Sequence, residues 1–355
     1  MVYLDYAATM PLLPEVREAM HKAEGEFLAN ASALHTPGHL AMNEVEKVRA
    51  LMAEIIGAKP EEIIFTSGSS ESNNTVIRTF EGCEIETSDL EHHSVLETAR
   101  MYRSESGRSE GRPKLYSYML ANNETGEILK LPAKGEGEYL HSDLTQVLGK
   151  MPINVDELGL DYATFSAHKI GGPVGVGALY VREGVPFKPL IVGGRQEKGR
   201  RGGTYNVVGI VGFGAALKKL KSCNTPVSYA TLVSKLRNLL AQRILAEVPG
   251  SSLNTDIGEG KSLPNILNVS FRAAEGESIQ LYLDAEGIVV STGSACAAGD
   301  IKPSHVLMAK TGDAEVAHSS IRFSFGLENT EADVDRAMEV LPKIIDKLQK
   351  ISTIA

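Results

Sequence analysis

The stretch Phe165–Gly177, "FSAHKIGGPVGVG", sets a single lysine, Lys169, between a histidine and a run of glycines. Residues before it ("DYATFSAH") are rich in the apolar and aromatic types that build buried strands, and "GALYV" after it reads as another strand. Taken alone, a lysine at a strand end, where the chain turns on glycine, is ordinary surface chemistry. Its neighbours decide whether it is more.

Outward from it, "EIIFT", "KLYSYML" and "EYLHSD" read as further strands. Ala41, Val45, Val48, Leu51, Met52, Ile55 and Ile56 recur at helical spacing up to a stop at Gly57. Helices alternating with short buried strands predict an α/β class and a doubly wound sheet. From Tyr229 to Val248, Leu232, Leu236, Leu239, Leu240, Ile244 and Leu245 mark a long amphipathic helix, followed by the loop-rich "PGSSLNTDIGEGKSLPN". The strand "ILNVSF", the helix "ESIQLYLDAEG", "IVVSTGSAC" and a last helix "EADVDRAMEVLPKIIDKLQKI" then form an α+β set. This organisation predicts a large domain over 13–245 and a smaller one from 1–12 and 246–355.

Composition narrows the function. The chain has 355 residues, long enough for a cleft enzyme, and 36 Lys+Arg against 45 Asp+Glu give a net charge of −9, which disfavours nucleic acid. Three cysteines, Cys83, Cys223 and Cys296, with no CxxC spacing indicate neither a disulfide framework nor a zinc cluster. No apolar run approaches the ~18 residues of a membrane span, and no basic segment leads an apolar core at the N-terminus. A cytoplasmic protein without membrane partners is expected.

Chemistry gathers around five features. "FTSGSSESNN" is strand, Ser/Gly turn and helix, so Ser69 and Ser70 are either simple helix caps or part of a phosphate seat. Asp143, at the end of "EYLHSD" with Gln146 behind it, is a candidate to hold a ring nitrogen protonated, and Lys169 one strand unit later is a candidate for a Schiff base. Of His92 and His93, one is placed to stack on a flat ring and move protons. Cys296 stands among small residues in "STGSACAAGD", while Arg322 interrupts an apolar strand, where its guanidinium needs an anion.

Together these residues resemble the cysteine desulfurases, pyridoxal-phosphate enzymes of the class-V aminotransferase group with the fold-type I architecture. "YLDYAAT", "NASALH", "FTSGSSESNN", "EHHSVL", "NNETG", "HSDLTQ", "SAHKIGGPVGVGALYV", "GGRQEKGRRGGT", "PNILNVSF", "STGSAC" and "IRFSFG" stand in that family's order. The resemblance implies that Lys169 carries the cofactor, Asp143 meets the pyridinium nitrogen, Gln146 the ring hydroxyl and His92 the ring face. It gives the phosphate to Ser70, Ser166 and His168, with Thr204 reaching in from a second subunit. Asn123, also counted with the cofactor site, and Arg322, helped by Asn30, would hold the substrate carboxylate, and Cys296 would be the nucleophile. The expected activity converts L-cysteine to L-alanine and passes the sulfur through a Cys296 persulfide to an acceptor protein, for iron–sulfur cluster assembly or thiolation of cofactors or tRNA. Alternatives are a selenocysteine lyase, a class-V aminotransferase or lyase that does not use Cys296, and, remotely, a dinucleotide-binding protein resting on "GGPVGVG". The chain departs from the family in a shortened 94–142 region, in Gly202 beside Thr204, and in the Ala-Ala-Gly-Asp after Cys296.

Overall fold

The computed structural model describes residues 1–102, 113–222, 225–293 and 303–351. In chain order its first elements are β1 (Val2–Tyr3), α1 (Pro14–Glu26), α2 (Thr36–Ile56), β2 (Ile63–Thr66), α3 (Ser69–Thr79), β3 (Glu84–Thr87) and α4 (His93–Tyr102). There follow β4 (Lys114–Ser117), β5 (Glu138–Asp143), β6 (Tyr162–Ser166), β7 (Gly177–Val181), α5 (Val207–Ser222) and α6 (Thr225–Glu247). The last are β8 (Ser251–Leu253), β9 (Ile266–Phe271), α7 (Gly276–Ala285), β10 (Ile288–Val289), α8 (His305–Thr311), α9 (Ala314–His318), β11 (Ser320–Ser324) and α10 (Glu331–Ile351). None of the described helices is long and apolar enough to cross a membrane.

Two compact units share these elements. One comprises Met10–Leu120 and Lys130–Thr225; the other comprises Met1–Thr9, Ala121–Leu129 and Pro226–Ala355. The nine residues 121–129 thus leave the first unit between β4 and β5 and belong to the second, a detour absent from the division expected at 245/246.

The first unit is built on a sheet ordered β2-β7-β6-β5-β4-β3. Strands β3 to β6 pair in parallel, whereas β7 is antiparallel to both β6 and β2. It follows that β2 runs in the sense of β6, and that β2, β3, β4, β5 and β6 all deliver their carboxyl ends to one edge. The mainly parallel α/β class read from the sequence is the fold observed. Helix α2 forms because Ala41, Val45, Val48, Met52 and Ile56 fall on one buried stripe, and it ends at Gly57, whose φ of 72° needs a residue without a Cβ. Under the sheet, Phe80 packs edge-on to Tyr162 with ring centroids 5.9 Å apart. Beyond residue 129 the chain crosses to β5 over 130–137 with no helix.

In the second unit β9 lies between β8 and β11 in an antiparallel sheet, and β1 pairs with β10. Its core joins Leu236, Leu240 and Ile244 of α6 to Phe271, Phe323, Leu341 and Ile345.

One close approach shapes the functional edge. Gly177 opens β7 opposite Thr66, and a Cβ there would stand 2.6 Å from Gly68 Cα and 2.5 Å from the Phe165 carbonyl oxygen. Only glycine lets the turn after β2 lie this close to β6. Gly177→Ala is expected to lower stability by about 1–3 kcal/mol and to displace the start of α3; a chemical-denaturation midpoint equal to that of the unaltered protein would refute this.

Candidate active site

The shared edge of the first unit collects the residues singled out in sequence. Helix α3 begins directly after β2; its N-cap is Gly68, which offers no side chain to the first-turn N–H groups of Ser69 and Ser70. Asp143 closes β5 and is only 8% exposed. Gln146 is buried in the turn that follows. On the adjoining strand β6, Ser166 is the last residue, and a single tight turn, Ala167–Ile170, carries His168 and Lys169 before Gly171 reverses the chain with φ 75°. Asp143 pairs in register with Thr164, so the acid and the lysine leave neighbouring parallel strands. His92 lies between β3 and α4 at the same edge.

Hydrogen bonds order this group. Thr145 N–H donates to Asp143 Oδ1 at 2.9 Å, and Asn73 Nδ2 donates to Asp143 Oδ2 at 2.8 Å. The same amide donates to Ser94 Oγ at 2.9 Å. Ser94 in turn meets His92 Nδ1 with its hydroxyl at 2.8 Å and its backbone N–H at 3.1 Å. Neither Asn73 nor Ser94 was singled out from sequence; the available signal was a side-chain amide on what becomes the buried face of α3.

Thr204 is exposed on the loop after β7, and that loop is tied down on both sides. Arg49 of α2 grips buried Glu197 with two bonds of 2.7 and 2.8 Å, and Arg201 grips Glu71 in the first turn of α3 at 3.0 and 3.2 Å. The pairs hold a strained segment, since Glu197 and Lys198 both have positive φ, 48° and 56°.

Burial sets the charges near this edge. His168 is pushed down to about 4 by desolvation and by Lys169 and Lys150, and Lys150, whose Nζ donates to the Lys169 carbonyl oxygen at 3.3 Å, is lowered to about 7 by desolvation and by Lys169. Further along β5, His141 lies between Ser117 Oγ at 2.8 Å and Thr164 Oγ1 at 3.0 Å; desolvation lowers its pKa to about 4, against the pull of Asp143.

Elsewhere the candidates belong to other surroundings. In the second unit Arg322, 4% exposed, donates from Nη1 to the Asn123 carbonyl oxygen and from Nη2 to Asp5 Oδ1, both at 2.8 Å. Its Nε and Asn123 Oδ1 are buried without a hydrogen-bond partner among the described residues. Asn30, in the first unit, is exposed and uses Oδ1 to accept from Ser32 N–H. Cys83 is half-buried in the first unit. Cys223 and Cys296 lie outside the described residues.

A family model described as aminotransferase class-V matches residues 2–109 and 107–337. The chain belongs to the class-V aminotransferase family. It is 42% identical to the cysteine desulfurase IscS of Dictyoglomus turgidum over 99% of this chain and 96% of that protein. Among solved structures, a NifS-like protein from Rickettsia africae is 30% identical with a TM-score of 0.86, covering 98% of this chain and 99% of that one. A structure described as SspA in complex with cysteine is also 30% identical, with a TM-score of 0.76 and coverage of 93% and 100%.

Members of this family and of its cysteine desulfurase branch depend on pyridoxal phosphate, and so does this chain. The residues present fit the group. The uncapped first turn of α3 suits a phosphate, and Asp143 is a buried acid beside two buried polar atoms, Asn73 Oδ1 and Thr145 Oγ1, that lack partners among the described residues.

The His141 environment makes a signed prediction. The unfolded chain binds a proton near its ordinary value of 6.5 that the native state refuses down to about 4. Stability should therefore fall as pH drops through that window, by up to about 1.4 kcal/mol per pH unit for each such group. Urea midpoints at pH 7, 6 and 5 should fall less steeply for His141→Gln; parallel slopes for the two proteins would rule out His141 as a source.

Proposed function

We propose that this protein is a cysteine desulfurase in which Lys169, Asp143, His92 and Cys296 divide the work. One observation carries the reading: Asp143 and Lys169 leave adjoining parallel strands at the edge where α3 begins, in a chain alike over nearly its full length to cysteine desulfurases. The SspA relative, solved in complex with cysteine, supports the choice of substrate.

Pyridoxal phosphate, when bound, supplies an electron sink for the α-carbon of an amino acid. Lys169 would hold it through its amine. Asp143, fixed by two donors, keeps the ring nitrogen protonated, and Gln146 meets the ring hydroxyl. Ser69, Ser70, Ser166 and His168, with the first-turn N–H groups of α3, hold the phosphate, and Thr204 of a second copy completes it, so the working form is a homodimer. His168, held neutral by burial, keeps one ring N–H to donate to a phosphate oxygen. Asn123 and Arg322 hold the substrate carboxylate, with the Arg322 Nε still available for it; Asn30 stands as a lesser candidate beside them.

The net reaction is L-cysteine plus the Cys296 thiol giving L-alanine plus a Cys296 persulfide. The C–S bond of the substrate breaks, an S–S bond forms on Cys296, and a proton returns to the carbon that becomes the alanine methyl group. His92 and Lys169 move the protons. At an ordinary pKa near 8.5 only about 3% of a thiol is ionised at pH 7, so transfer of the Cys296 proton is part of the work. An acceptor protein then takes the sulfur, in the cytoplasm.

Two variants test this. Lys169→Ala should lose turnover by at least about 1000-fold and keep cofactor only non-covalently, as read by borohydride reduction and peptide mapping. Cys296→Ser should bind L-cysteine yet release almost no sulfide, and mass spectrometry of the unaltered protein should find the added sulfur on the Cys296 peptide. Sulfur on Cys83 or Cys223, or normal release by Cys296→Ser, would return the assignment to a class-V aminotransferase or lyase that does not use Cys296. Strong preference for selenocysteine in paired assays would indicate a selenocysteine lyase.

A further inference from the structure

Asn73 has no part in the chemistry above, yet it is fully buried on α3, touches Asp143 directly and reaches His92 through Ser94. Its Nδ2 spends both hydrogens, one on Asp143 Oδ2 and one on Ser94 Oγ. The reversed amide would set its oxygen against the carboxylate, so Asp143 decides the orientation. Oδ1 is then left buried without a partner among the described residues. A residue kept only to fill space would be apolar here, because an unmet buried acceptor is destabilising. Retention of the amide points to a use for its two donors.

That use extends through Ser94. With Asn73 donating to Ser94 Oγ, the hydroxyl hydrogen is turned to His92 Nδ1, where the Ser94 backbone N–H also arrives. Two donors on Nδ1 make it an acceptor, and neutral His92 then carries its proton on Nε2.

We propose that Asn73 is a positioning residue: one amide orients the Asp143 carboxylate and, through Ser94, holds His92 as the Nε2–H tautomer. The inference rests on the assignment of Asp143 to the ring nitrogen and His92 to the ring face. Its consequence is that His92 enters the reaction with a proton to give from Nε2 and becomes a base there only after giving it.

The test uses the full-length protein with 15N-labelled histidine, with and without pyridoxal phosphate, and a His92→Gln sample to identify the His92 resonances. The unaltered protein should show Nδ1 unprotonated and Nε2 protonated. In Ser94→Ala and in Asn73→Ala the Nε2–H to Nδ1–H ratio should fall about twofold to tenfold, the weight of one neutral hydrogen bond. The double variant should fall no further than Ser94→Ala alone, because both act on one relay. Asn73→Ala should also bind pyridoxal phosphate at least about threefold more weakly, whereas Ser94→Ala should stay within about twofold, since only Asn73 touches Asp143. A merely structural asparagine would lower the melting temperature and leave the His92 resonances in place, and that result overturns the proposal. If Asn73→Ala does not fold, unchanged His92 resonances in Ser94→Ala overturn it equally. None of these readouts needs turnover, so the expected tautomer in a protein that releases no sulfur from L-cysteine would support this inference and sink the desulfurase reading.

Discussion

A carboxylate at the end of a buried strand is stable only where donors meet both its oxygens, and Asp143 meets that condition with Thr145 on one side and Asn73 on the other. Thr145 is local to the turn after β5. Asn73 lies on α3, and its reach to Asp143 depends on how α3 leaves β2 and packs against the sheet. That departure depends in turn on Gly68 and Gly177 approaching without side chains between them. One polar contact thus constrains the strand order, the turn geometry and the seat of a helix.

The charges at this edge follow the same logic. Lys169, Lys150 and His168 lie close together in a poorly solvated place, and burial together with Lys169 holds His168 and Lys150 below their ordinary values. Such a place resists further positive charge and favours an anion. The uncapped N-terminus of α3 adds partial positive charge of its own. A phosphate-bearing group bound here would relieve both at once, and the clamp of Arg201 on Glu71 fastens the loop of Thr204 to the first turn of α3.

Much of the architecture was legible before the structure. "EYLHSD", "GALYV", "ILNVSF" and the last helix occupy the residues expected of them, because each carries a strong local pattern of apolar residues. β3, "EIET", was missed for the opposite reason: it is the last strand on its side of the sheet, and half of its residues are charged. The antiparallel sense of β7 left no mark either, since a strand buried throughout has the same composition in either direction. Residues 121–129 carry no boundary signal in the sequence, yet they belong to the second unit.

The same division holds at the site. Sequence alone determined which chemical groups the chain has and that Asp143 closes a strand, so Asp143, Lys169, His92 and Arg322 could be picked out by residue type and position. Only the tertiary structure decided which groups share an edge and what holds each in place: Asn73 on Asp143, Ser94 on His92, Asp5 on Arg322. The physical reason is range. Strand and helix patterns are written within a few residues, whereas a hydrogen bond between Asn73 and Asp143 joins positions 70 apart and exists only once the sheet order has brought their elements together.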